Sequence, residues 1–141
     1  MRWRHSVGLL VALSFVAATH EEAGVSVRDA WIRQAPPGAS MLAGYMELRN
    51  STSKPQILVA AGSSEFESVT IHRTVVKDGM AGMVHVSQVE IPPQASIIFA
   101  PGGYHLMLMT PKRRLRAGDQ VIVNLELRDA PVLAVAFEII K

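Results

Sequence analysis

The chain has 141 residues, enough for one domain with a sizeable core, and its hydrophobic content of 49% is ordinary for a globular protein. Fourteen basic residues oppose twelve acidic ones, but Arg2 and Arg4 lie in the first 18 residues, which contain no acid, so the rest of the chain is balanced. This balance gives no support to a nucleic-acid partner, and the absence of cysteine excludes a disulfide framework and a thiolate metal site.

The N-terminal segment has the three parts of a secretory signal peptide. Arg2 and Arg4 form a basic start, residues 7–16 are almost wholly apolar, and residues 16–18 are small. The apolar run is too short to span a bilayer. We therefore expect residues 1–18 to be a cleaved signal peptide, residues 19–24 a flexible segment, and residues 25–141 one domain. The mature protein would be periplasmic or otherwise exported, without a membrane span; a retained N-terminal anchor is the alternative.

The remainder consists of short β-branched or alternating runs separated by turn residues, and helical periodicity is nowhere sustained. Nine strands at this spacing predict an all-β fold, an antiparallel sandwich or small barrel. The predicted strands are Ser26–Ile32, Ala43–Asn50, Gln56–Ala61, Ser68–Val76, Gly82–Val89, Ser96–Ala100, Tyr104–Met109, Gln120–Leu127 and Val132–Ile140.

One of these strands carries two candidate metal ligands. Side chains alternate between the two faces of a strand, so His105, Met107 and Met109 share one face and Leu106 and Leu108 share the other. The face with His105 and Met107 can therefore bind a metal ion while the face with the two leucines packs in the core. A histidine and a methionine two residues apart on a strand are by themselves weak evidence for a metal site.

Two further candidates lie upstream, before and after a predicted turn. The dipeptide Asp78-Gly79 is a strong hairpin signal, and a hairpin there would bring Met83 back towards His72. Imidazole and thioether donors together favour a soft metal ion, of which Cu(I) is the one that suits them best.

The spacing of these residues resembles that of a known family. The four residues are His72, Met83, His105 and Met107. Ten residues separate His72 from Met83, 21 separate Met83 from His105, and one separates His105 from Met107. This pattern, with the segment PGGYHLMLM at residues 101–109, resembles the periplasmic copper chaperones of the PCuAC family. The segments AWIR at residues 30–33 and AGYM at residues 43–46, Asn50, and the Asp78-Gly79 turn resemble the family in the same order.

The resemblance implies a cupredoxin-like Greek-key β-sandwich or barrel that is not an enzyme. It would bind one Cu(I) through His72, Met83, His105 and Met107. It would deliver the metal to the CuA centre of cytochrome c oxidase subunit II, with a thioredoxin-like protein of the Sco type as a second candidate partner. The chain departs from the family at Thr74, where many members have methionine, and lacks their His- and Met-rich tail.

Other functions are weighed against this one. An electron-transfer cupredoxin needs a cysteine thiolate for its blue-copper centre, and the chain has none. No nucleophile elbow or zinc-protease motif supports a hydrolase. The main alternative is a metal-free exported interaction domain, in which the histidines and methionines only pack.

Several neighbouring residues keep more than one interpretation. His85 lies two positions after Met83, and an exposed or partly hydrogen-bonded histidine is the simpler role than a fifth ligand. Met80 and Met109 lie close enough in sequence to remain candidate sulfur donors. Trp31 is expected to pack structurally rather than to contact a metal.

Overall fold

In the computed structural model, which describes residues 24–141, the described chain forms ten strands and no helix. The strands are β1 Val25–Arg33, β2 Met41–Asn50, β3 Gln56–Gly62, β4 Phe66–Lys77, β5 Met80–His85, β6 Val89–Ile91, β7 Ser96–Phe99, β8 Tyr104–Pro111, β9 Gln120–Leu127 and β10 Leu133–Ile140. The all-β prediction is confirmed. No described segment forms a helix that is long and apolar enough to cross a membrane. The predicted signal peptide, residues 1–18, and residues 19–23 lie outside the described part of the chain.

Eight of the strands close into a barrel. Around the ring their order is β4, β8, β7, β2, β1, β10, β9 and β3, and the pairing of Ala61 with Val69 joins β3 back to β4. Two strands lie outside the ring, because β5 pairs with β4 and β6 pairs with β3. This is the single cupredoxin-like domain that the resemblance implied.

The core lies inside the barrel and follows from strict alternation along the strands. In β9, every second residue is buried, and Val121, Val123 and Leu125 are wholly inaccessible to solvent. Leu106 and Leu108 of β8 are also at 0% exposure. Since these apolar side chains fill the interior, the alternate side chains of the same strands lie on the outer surface of the barrel.

The sequence prediction was wrong at one strand. Gly82–Val89 was predicted as a single strand, but β5 ends at His85 and β6 begins at Val89. The two strands pair with different strands of the ring, β5 with β4 and β6 with β3. Residues 86–88 therefore cross between partners, which alternation in the sequence cannot reveal.

The predicted turn at Asp78-Gly79 is present. Both residues have positive φ, 53° and 74°, as a type I′ hairpin requires. Lys77 pairs with Met80, so only two residues connect β4 to β5. The turn thereby sets the register of the whole hairpin, including the part that carries the candidate ligands.

Asn50 is a polar anchor at 0% exposure. Its side-chain nitrogen donates to the carbonyl oxygens of Lys54, Ile91 and Pro92 at 2.8, 3.0 and 3.2 Å. Its side-chain oxygen accepts from the backbone N–H and the hydroxyl of Thr52 at 2.9 and 2.7 Å. The residue therefore ties the end of β2 to the β2–β3 connection and to the end of β6, which is distant in sequence.

Replacing Asn50 by alanine should lower the free energy of unfolding by about 1–3 kcal/mol, because buried carbonyl oxygens lose their donor. Urea denaturation measures this loss. The exposed Asn124 on β9 provides a matched control, since its replacement by alanine should change stability by less than about 0.5 kcal/mol. Equal effects at the two positions would contradict the anchoring role of Asn50.

Candidate metal centre

The four predicted ligands lie on one outer surface of the barrel, across β5, β4 and β8. Thr74 pairs with Met83, Thr70 pairs with Met107, and His72 pairs with His105. Directly opposed residues of antiparallel strands project to the same side, with Cβ atoms about 4.5–5.5 Å apart. Every second residue of β4 joins these pairs, so all four candidates share a face. We call His72, Met83, His105 and Met107 the His–Met face.

The two histidines of this face are close neighbours. The ring centroids of His72 and His105 are 6.0 Å apart, and their planes are inclined by 22°. A third imidazole lies on the other side of His72, because His85 pairs with it in register and the two centroids are 5.6 Å apart. Strand register thus brings together side chains that are up to 33 positions apart in the chain.

His105 has a buried nitrogen that is ready to accept a ligand. The side chain is 5% exposed, and Nδ1 lies 3.2 Å from the carbonyl oxygen of Gly103. A carbonyl only accepts, so Nδ1–H donates and Nε2 carries a lone pair. That Nε2 is buried and has no hydrogen-bond partner among residues 24–141. Such an unpaired atom costs about 1–3 kcal/mol, and metal coordination would remove the cost.

His72 is held in the form that binds metals. Burial lowers the pKa of its imidazole, and the neighbouring His105 and His85 lower it further. The lowered pKa favours the neutral ring, which is the form with a lone pair for a metal ion. Thr70 Oγ1 lies 3.3 Å from Nδ1 and orients the ring.

The methionines of the face differ in accessibility. Met83 is 55% exposed on β5, whereas Met107 on β8 is half-buried. Met109 is on the same side of β8 as Met107, two residues further along the strand, and pairs with Ser68 of β4. Met80 pairs with Lys77 and therefore projects to the opposite side of the hairpin from Met83. The structure thus removes Met80 from the candidate donors and keeps Met109 beside them.

An aromatic pair borders the face, and sequence analysis did not connect it with the site. Gly44 of β2 pairs with Leu106 of β8, and Tyr45 is the next residue of β2. The centroid of the Tyr45 ring lies 4.6 Å from that of the Trp31 ring. Tyr45 is 9% exposed. Trp31 is half-buried and packs on the ring of Tyr45.

Nitrogen and oxygen ligands alone do not define a site here. Within residues 24–141, no group of three or more His, Cys, Asp or Glu side chains is arranged to hold a metal ion. The His–Met face combines two imidazoles with two thioethers instead, which is the donor chemistry of a soft ion.

The fold and this outer surface define the class of protein, a barrel of the PCuAC type. The solved apo PCuAC domain from PmoF1 is 25% identical, with a TM-score of 0.69, over 82% of this chain and 92% of that domain. The solution structure of Cu(I)-DR1885 from Deinococcus radiodurans is 34% identical, with a TM-score of 0.64, over 78% of this chain and 74% of that one.

The chain belongs to the PCuAC-related family described as "Putative lipoprotein LpqE-like", whose model matches residues 25–139. A relative from Leifsonia xyli subsp. xyli, described as a "Putative lipoprotein", is 38% identical over 114 residues. That alignment covers 80% of this chain and 68% of the relative. The resemblance stated from the sequence motifs is confirmed.

Proposed function

We propose that this protein is an exported metallochaperone that binds Cu(I) through His72, Met83, His105 and Met107 and delivers it to the CuA centre of cytochrome c oxidase. The observation that carries the proposal is the buried Nε2 of His105, which has no hydrogen-bond partner in the described part of the chain, on a surface shared with two thioethers. The similarity to Cu(I)-DR1885 supports the choice of metal.

The donor set explains how such a protein holds copper and still releases it. Imidazole and thioether are neutral and suit Cu(I), but a cysteine thiolate is a stronger donor. Copper therefore moves downhill to an acceptor with reduced cysteines. The protein needs no catalytic step for this, since ligands are exchanged one at a time.

The accessibility of the ligands suggests an order for that exchange. Met83 is 55% exposed and lies on β5, which pairs with no strand other than β4 within residues 24–141. His105 lies on the outer side of the ring strand β8 but is only 5% exposed. An approaching thiolate would replace the thioether of Met83 first, and the imidazole of His105 would leave last.

Export is supported by the class of the relatives, since a lipoprotein is an exported protein. The predicted cleavage after Ala18 is consistent with it.

Cu(I)-loaded protein should transfer its metal by direct contact to an apo, reduced fragment of oxidase subunit II, because the CuA thiolates bind copper more strongly than thioethers. The copper content of the re-isolated fragment measures the transfer, and a chelator in solution should not intercept the metal. A fragment with serine in place of the CuA cysteines is the control.

Two results would change the proposal in different ways. No transfer to the native fragment, together with rapid transfer to a Sco-type protein or another cuproprotein, would overturn the partner and leave the copper site. Failure of the purified protein to bind Cu(I) at all would favour the metal-free interaction domain.

A further inference from the structure

An open cleft of about 820 Å³ lies at one end of the barrel. One wall is the loop between β1 and β2, at residues 34–40, and the other is the connection from β8 to β9, at residues 111–117. Thr110 of β8 lines the cleft and is five residues along the strand from His105, roughly 16 Å away. The cleft is therefore separate from the His–Met face, and its volume falls within the range of about 300–1,000 Å³ that is typical of small-molecule sites.

Every charged side chain that lines this cleft, within residues 24–141, is cationic. The four side chains are those of Arg113, Arg114, Arg116 and Lys141. Arg113 forms ion pairs with Glu65 and, at 3.5 Å, with Asp119, neither of which lines the cleft. Arg114 and Arg116 form no ion pair in the described part of the chain. Because like charges repel across so short a segment, a bound anion would stabilise it. We call this site the basic cleft.

Hydrogen bonds hold both walls of the basic cleft on the barrel. The backbone N–H of Thr110 donates to the carbonyl oxygen of Ser40 at 2.7 Å, which joins one wall to the other. The backbone N–H of Gly118 donates to the carbonyl oxygen of Ile139 at 2.9 Å. Leu115 is half-buried and packs against the core, so the arginines on either side of it project from an anchored segment. A site that is formed before binding loses less conformational entropy when its ligand arrives.

The basic cleft combines charge with apolar surface, and the combination indicates the class of ligand. A guanidinium group binds phosphate or carboxylate through two parallel N–H bonds. A phosphate monoester carries a charge of about −1.5 to −2 at pH 7, so one such group balances both Arg114 and Arg116, whereas one carboxylate balances a single arginine. Pro36, Pro37 and Leu42 supply apolar surface in the same cleft. This surface suits the organic part of a phosphate ester and offers nothing to inorganic phosphate.

We propose that the basic cleft binds a small organic phosphate monoester, with the phosphate group on Arg114 and Arg116 and the organic part against Pro36, Pro37 and Leu42. The ester is either a soluble molecule or the headgroup of a lipid, since both present the same group. The inference does not depend on the proposed function, because none of the four proposed copper ligands lines this cleft.

Isothermal titration calorimetry of the purified protein with phenyl phosphate tests the inference. Phenyl phosphate should bind, and inorganic phosphate should bind more weakly because it lacks the apolar part. In the double variant Arg114→Gln/Arg116→Gln, affinity for phenyl phosphate should fall at least about tenfold, which is the effect of losing one hydrogen bond to a charged group. Circular dichroism checks that the variant is folded.

The matched control is the double variant Arg28→Gln/Arg128→Gln. It removes the same net charge from two exposed arginines that do not line the basic cleft, and it should keep the wild-type affinity for phenyl phosphate. Equal losses in the two double variants would show attraction to net charge only and would overturn the inference.

Vesicles of phosphatidylcholine with and without phosphatidic acid identify the source of the phosphate. If the protein sediments only with the phosphatidic acid vesicles, and Arg114→Gln/Arg116→Gln does not, the ligand is a lipid headgroup. If phenyl phosphate binds and the vesicles do not, the ligand is a soluble ester. Binding of neither probe would overturn the inference, and so would tighter binding of a glutamate hexapeptide than of phenyl phosphate, which would indicate an acidic protein partner.

Discussion

Replacing Met107 by leucine should weaken Cu(I) binding by at least about 100-fold while the barrel stays folded. Loss of a group that only hydrogen-bonds to a metal ligand lowers metal affinity roughly 10–100-fold, and Met107 is proposed as a direct ligand. Leucine keeps the size and apolar character of methionine and removes only the sulfur, so packing at this half-buried position changes little. Competition with a Cu(I) chelator under anaerobic conditions measures the affinity.

Met109→Leu is the matched control for this experiment. It makes the same substitution on the same strand and the same face, two residues further along, and should leave Cu(I) affinity near the wild-type value. His105→Ala should weaken binding as strongly as Met107→Leu. If Met107→Leu and His105→Ala both bind Cu(I) as the wild type does, the ligand assignment is wrong. A loss in Met109→Leu alone would transfer the sulfur role to Met109.

Replacing Leu106 by alanine should lower the free energy of unfolding by about 2–5 kcal/mol. Leu106 lies between the two β8 ligands but projects into the core, where it is at 0% exposure and opposite Ile71 and Gly44. Truncation removes its buried methyl groups and leaves a cavity in a closed barrel that has little freedom to collapse. Urea denaturation of the metal-free protein measures the change.

The control is again Met107→Leu, whose stability should lie within about 1.5 kcal/mol of the wild type because the exchange conserves volume. Leu106→Ala should therefore lower stability, whereas Met107→Leu should lower Cu(I) affinity, since Leu106 projects into the core and Met107 projects outwards. A Leu106→Ala variant as stable as Met107→Leu would show that the core tolerates the loss, and would contradict the packing described for β8.

Much of the fold was predictable because its determinants are local. β9 was predicted at Gln120–Leu127 and is found there, since apolar and polar residues alternate without interruption. The Asp78-Gly79 turn was predicted because few dipeptides adopt positive φ at both positions so readily. The strand predicted at Gly82–Val89 was wrong because its two parts pair with different strands, and no local pattern records the choice of partner.

The candidate site likewise has some features that the sequence predicts and others that only the tertiary structure fixes. Sequence alone determined that His105 and Met107 share a face of one strand, because alternation is a property of the strand itself. Only the tertiary structure decided that His105 lies directly opposite His72, and that His105 Nε2 is buried without a hydrogen-bond partner among residues 24–141. These facts depend on the register between strands and on closure of the barrel. Strands such as β4 and β8, which no short turn joins, take their register from the burial of one face of every strand, so this register exists only once the whole barrel is formed.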